Sequence, residues 1–138
     1  MSIDLVVLRI NHLHEMGEID PMQNNLRMMG PGLCLLDSGD PFAAGGILRQ
    51  WDNVGKAWSL HTQRAAESPF LMRQIHKHAK IQIPLLRDAM GLVRLEAETP
   101  AEPSKYCAWL EALGFALEGR MPLYRGGRDF IRLGWIRG

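Results

Sequence analysis

The sequence predicts a mixed α/β (α+β) fold, a mostly antiparallel sheet of six to seven strands with helices on both faces. Three observations predict it. Several short segments are dense in aliphatic, aromatic or β-branched residues and are bounded by turn residues, the mark of strands. Between some of them stand segments with apolar residues at helical spacing, the pattern of a parallel crossover. Others follow one another through short turns, the pattern of antiparallel hairpins. The resulting order is β-α(α)-β-β-β-α-β-α-β-β, and a length of 138 residues sets one domain, 1–138, as the expectation.

Each element has a local cause. SIDLVVLRI (2–10) is aliphatic and β-branched throughout, so it reads as a strand buried on most of both faces. After a polar stretch, PMQNNLRMMG (21–30) reads as a helix, with Asp20 as N-cap, Pro21 at its first position and Gly30 as its stop. PGLCLLDSGDPFAAGGILRQW (31–51) is two strands around the turn DSGD, and Gly45-Gly46 marks a bulge or a close backbone approach. VGKAWSLHT (54–62) is a further strand. A helix then starts at Ser68-Pro69, carries Leu71, Ile75, Ala79, Leu86 and Met90 toward the core and ends at Gly91. Pro84 within it predicts a kink or break near residues 80–84. LVRLEAET (92–99) is a strand, and EPSKYCAWLEAL (102–113) is a helix closed by Gly114. FALEGRMPLY (115–124) and DFIRLGWIR (129–137) form the last hairpin.

Composition narrows the classes of function. With 46% apolar residues and 22% charged, the chain reads as a folded soluble domain. A formal net charge of +1 gives no bulk attraction to DNA or to an anionic membrane. The two cysteines, Cys34 and Cys107, stand alone in apolar contexts and read as buried thiols of a reducing compartment. Neither a signal peptide nor a membrane span is read, so a cytoplasmic protein is expected.

This order of elements, together with WLEALGFALEGR (109–120), resembles the GNAT superfamily of acyl-CoA-dependent N-acyltransferases. Leu113, Gly114, Phe115, Glu118 and Gly119 match its x-L-G-F-x-x-E-G signature, and residues 41–62 look like its second hairpin. The chain is most similar in feel to short acetyltransferase-like proteins of tailed phages and prophages, some of them virion-associated. The LGF signature has a physical basis, because a helix ending in the left-handed conformation needs Gly, and the aromatic after it anchors the next strand. The resemblance implies acetyl-CoA as cofactor and no metal. It places Leu60, His61 and Thr62 along the pantetheine arm, and the loop Gln63–Ser68, including Gln63, Arg64 and Ser68, at the diphosphate.

The sequence departs from that pattern in two places. The family's phosphate loop, Q/R-x-x-G-x-G/A, brings bare amides close to phosphate. Here the stretch is QRAAES (63–68), without glycine and with Glu67 adding negative charge; Arg64 and Arg73 are the compensating cations. Many members carry a Tyr four residues before the signature Gly as the acid for the leaving thiolate, a position held here by Leu110, while Tyr106 lies one turn earlier on the same stripe.

Acylating an amine needs a base for the ammonium proton and a donor for the thioester oxygen. Alternation along 92–99 puts Arg94, Glu96 and Glu98 on one face, and Ser59 and His61 share a face of strand 54–62. His61, Glu96, Glu98 and Tyr106 are therefore the catalytic candidates, against a plainer reading of the carboxylates as surface ion pairs. His12-x-His14-Glu15 lacks further ligands at telling spacing and reads as solvated loop histidines. Arg73, His76, Lys77, Lys80 and Arg87 give the long helix a basic face, read as solvated. Three functions follow: an N-acetyltransferase acting by direct transfer from acyl-CoA to an amine acceptor; a GNAT-like phage or prophage protein without catalysis, partnered by a phage structural or host protein; and, well behind, a nucleic-acid binder.

Overall fold

The computed structural model describes residues 2–138. Seven strands form one sheet in the order β1-β2-β3-β4-β5-β7-β6. They are β1 Ile3–Val7, β2 Gly32–Asp37, β3 Asp40–Trp51, β4 Val54–His61, β5 Arg94–Pro100, β6 Ala116–Arg125 and β7 Arg128–Ile136. The helices are α1 Ile10–Glu15, α2 Pro21–Arg27, α3 Gln63–Ala66, α4 Pro69–Ala89 and α5 Lys105–Ala112. The expected fold class and, apart from the added turn α3, the expected element order are those of the structure, with antiparallel pairing of β1–β2, β2–β3, β5–β7 and β6–β7 and parallel pairing of β4 with β5. No helix among the described residues is long and apolar enough to cross a membrane.

The chain divides into two compact units, one comprising residues up to Leu48 together with Ala57–Leu86, the other Arg49–Lys56 together with Arg87–Gly138. In the first, the period-2 alternation of β2 sends successive residues to different cores. Leu35 joins Phe42, Ala43, Ala65 and Leu71, while Cys34 joins Leu8, Leu13 and Ala44. Helical residues therefore cover both faces here, Ala65, Leu71 and Ile75 on one, Leu13 on the other, joined by Met16 just past the end of α1. Fully burying Phe42 alone contributes about 2 kcal/mol. The glycine pair of β3 is a close approach. A Cβ on Gly46 would lie 2.5 Å from the Pro31 carbonyl oxygen and 3.0 Å from Trp58 Nε1.

In the second unit, β5 lies antiparallel to β7, with Ala97 opposite Leu133 and Glu98 opposite Arg132. The head of β4 runs parallel to β5, pairing Val54, Gly55 and Lys56 with Arg94, Leu95 and Glu96. α5 packs on β5 and β6, and Leu92, Leu95, Ala97, Leu110, Phe115 and Leu133 are buried. The signature turn works as its chemistry requires: Gly114 has φ +104° and Phe115 beside it is buried. β6 pairs with β7 on one side, is exposed along most of its length, and loses register between Leu117 and Gly119 and between Met121 and Arg125. In the second irregularity Leu123 follows Pro122 with φ +47°, its N–H held by Asp129 Oδ1 at 2.9 Å.

Several expectations are corrected. β1 ends at Val7 and is half-exposed, since it pairs only with β2 at the end of the strand order. Residues 10–15 form α1, and His12 on it is buried, its Nδ1 accepting the Arg9 N–H at 3.0 Å; it is no solvated loop histidine. α2 stops at Arg27, before Gly30. α4 continues through Pro84, so of the expected kink or break the break does not occur. α5 starts at Lys105 rather than residue 102. Cys34 is buried, but Cys107 is half-buried on α5, its Sγ 3.7 Å from Glu111 Oε1.

Candidate functional site

The first candidate region begins where β4 ends. Leu60 packs against the core that holds Leu13 and Cys34, and His61 is the last, half-buried residue of the strand. Thr62 turns the chain: its N–H donates to the Phe42 carbonyl at 3.0 Å, and its Oγ1 accepts the Ala65 N–H at 3.2 Å. That cap creates α3, a turn where the sequence alone suggests an open loop. The Ala66, Glu67 and Ser68 N–H groups bond to Thr62, Gln63 and Ala65 carbonyls, and Ser68 Oγ caps α4 through the Leu71 N–H at 3.2 Å. Gln63 and Arg64 remain at the head of the turn, where helix amides have no partner within the helix.

Charge around this turn is mixed. Arg64 donates from Nη1 to Asp37 Oδ2 at 3.0 Å and from Nη2 to Asp40 Oδ2 at 3.5 Å, so its charge is already matched. Glu67 is exposed, and so is Arg73, one turn into α4.

The second region is the polar face of β5. Leu95, Ala97 and Thr99 are buried, while Arg94, Glu96 and Glu98 share the other face, as the alternation predicts. Arg94 Nε donates to Glu96 Oε2 at 2.8 Å, and its two terminal nitrogens grip both oxygens of Glu118. The signature glutamate thus pins β6 to β5 across β7, where Gly134 provides the room, since a Cβ there would strike the Glu118 carboxylate. Glu118 lies below its ordinary pKa, chiefly through the Arg94 hydrogen bonds, and Arg94 is raised by Glu118 and Glu96.

Glu98 is the more unusual group. Its side chain is 7% exposed and meets Lys56 Nζ at 3.1 Å, Arg132 Nη2 at 3.3 Å and Arg125 Nη2 at 3.8 Å. Tyr124 Oη also donates to Oε1, at 3.3 Å. Burial pushes its pKa up, but Lys56 and Arg132 outweigh burial and hold it below the usual carboxylate range. Glu98 is therefore an ionised hub, moved away from the near-neutral pKa that suits a general base. Sequence reasoning missed Lys56, Tyr124, Arg125 and Arg132. They come from three different strands, β4, β6 and β7, so only the folded register brings them to Glu98.

Tyr106 is half-buried on α5, with Lys105 Nζ 5.3 Å from the centre of its ring. No group of three or more His, Cys, Asp or Glu side chains suited to a metal occurs among the described residues.

The sequence matches no protein-family model and no curated protein. The fold, by contrast, is that of the GNAT acetyltransferases. The chain is similar over 99% of its length to 94% of the ribosomal-protein-S5-alanine acetyltransferase of Vibrio fischeri, with TM-score 0.74 and 12% identity. It is similar over 99% of its length to 96% of the ribosomal-protein-S18-alanine N-acetyltransferase of Escherichia coli, with TM-score 0.73 and 16% identity. An IAA acetyltransferase from Bacillus cereus is matched over 98% of this chain and 99% of that one, with TM-score 0.72 and 14% identity.

Proposed function

We propose that the protein transfers an acetyl group from acetyl-CoA directly to an amine. The observation that carries this reading is the single crossover of parallel pairing, β4–α4–β5, with a helical turn beginning immediately past His61. In proteins of this fold the acyl donor is expected there. The donor set fits an acyl-CoA diphosphate with a light grip. The Gln63 and Arg64 amides at the head of α3 and the Arg73 guanidinium would hold it, while Asp37, Asp40 and Glu67 reduce the local attraction. Bound acetyl-CoA supplies an activated acyl carbon. The chain's own part is to hold that carrier and to take a proton from the acceptor ammonium. His61 suits the proton transfer, because imidazole titrates nearest neutrality of the candidate groups. Glu96 and Glu98 serve as ion-pair partners, and Tyr106 is the candidate acid for the departing thiolate.

A second reading rests on a different observation, the capping of residues 62–68 by their own side chains and carbonyls. In this reading the fold acts through protein contacts, on a phage structural protein or a host protein, and Met22 and Leu26 on α2, with Met29 just past its end, are exposed apolar side chains.

Calorimetric titration with acetyl-CoA separates the two. A cofactor at 100 times its Kd adds about 2.7 kcal/mol to stability, so a saturable heat and a matching rise in Tm are expected. With binding present, His61→Ala should lower kcat while leaving acetyl-CoA affinity unchanged. Absence of both heat and Tm shift at millimolar acetyl-CoA would refute the enzyme reading.

A further inference from the structure

The ion pairs of the second unit are unevenly balanced. Arg94 faces two carboxylates, Glu96 and Glu118, and Arg120 faces Asp129. Around Glu98 the ratio reverses: Lys56, Arg125 and Arg132 converge on one carboxylate, and Glu118, whose charge reaches Arg132, offsets only part of the positive surplus. Mutual repulsion makes such a surplus costly unless water or a second anion balances it.

Glu98 leaves much of the donor capacity unused. Each guanidinium has five N–H donors, and the contacts to Glu98 run through Nη2 alone, at 3.3 Å from Arg132 and at 3.8 Å from Arg125, the latter beyond hydrogen-bond range. Lys56 Nζ sits 3.1 Å from Glu98 Oε2, yet Oε2 has no hydrogen-bond partner, so this contact is an ion pair out of line for a bond. Arg132 Nε is likewise buried and unbonded. The three cations also remain reachable, with side chains 29%, 65% and 40% exposed for Lys56, Arg125 and Arg132.

The arrangement is also held in place. The Arg125 guanidinium lies 5.7 Å from the Tyr124 ring centre and 5.3 Å from that of Phe130, and those two rings pack at 5.7 Å. Arg132 is fixed by its register opposite Glu98. A planar fork held against aromatic faces is preorganised for two-point contact with a compact anion.

We propose that Arg125, Arg132 and Lys56 form a binding site for a small oxyanion, a carboxylate or phosphate group of a ligand, with Glu98 as the internal anion that keeps the cations gathered when the ligand is away. Anion binding here owes nothing to acetyl transfer and stands or falls separately.

The test is titration of the whole protein with acetate and with inorganic phosphate in a low-chloride buffer, read by calorimetry and by the NMR shifts of the arginine Nε–H groups. Saturable binding that moves Arg125 and Arg132 is expected. Arg125→Gln, at the most exposed of the three cations, should weaken it about tenfold, and Arg125→Lys less, because the charge stays and the fork is lost. Glu98→Gln should tighten binding, since it removes the competing carboxylate. A merely structural hub would not produce that sign. Tighter binding of acetate identifies a carboxylate ligand, and tighter binding of phosphate a phosphate ester. No saturable binding at tens of millimolar, or binding undiminished by Arg125→Gln, would overturn the proposal.

Discussion

Replacing Glu98 by Gln probes the one strongly buried charge of the second unit. The substitution keeps the volume and removes the negative charge from among Lys56, Arg125 and Arg132. Breaking a buried pair by removing one partner costs about 3–5 kcal/mol. That range needs a discount here, because all three cations are open to solvent, Arg125 at 65%, Arg132 at 40% and Lys56 at 29%. A loss of about 2 kcal/mol at pH 7 follows, measured by urea unfolding with unchanged m-value. The pH dependence has a definite sign. The folded pKa of Glu98 is depressed, so its stabilisation is complete above the unfolded value of about 4.3 and disappears as pH falls through the folded value. The gap between wild type and variant should therefore close in acid. A loss below about 0.5 kcal/mol at pH 7, or a gap that does not narrow as pH falls below about 4, would refute the account of Glu98 as an ionised hub.

Two further substitutions test other parts of the structure. Gly46→Ala would drive a methyl group to 2.5 Å from the Pro31 carbonyl oxygen and 3.1 Å from Gly32 Cα, so thermal or urea unfolding should show a loss of about 2 kcal/mol or more. Glu67→Gln removes a negative charge from the turn proposed to face the acyl-CoA diphosphate. Acetyl-CoA affinity by calorimetry should rise roughly two- to fivefold at low salt, and the gain should shrink as salt is added.

Legibility in the sequence followed the range of the interactions. Gly114 and Phe115 were readable because a helix stop and its aromatic anchor are set by adjacent residues. Asp20 and Pro21 were readable for the same reason, and Asp20 Oδ1 accepts the Met22 N–H at 3.0 Å. The alternation of β5 told which of its residues share a face. It could not tell that Arg132 stands opposite Glu98, since that depends on the register of a strand more than thirty residues away. α3 escaped because four residues carry no periodicity, and its cause is a single hydroxyl, Thr62 Oγ1. The break expected near Pro84 is absent, because the helical turns on either side of it hold the segment in one helix.

The irregular course of β6 bears on how these molecules behave when concentrated. A straight, uncovered outer strand offers an unbroken row of amides and carbonyls to any neighbouring chain. Here Pro122 lacks an amide hydrogen, Leu123 turns its backbone out of the extended form, and Asp129 occupies the Leu123 amide. These interruptions break that row along the second half of β6 and blunt this rim as a template for strand addition.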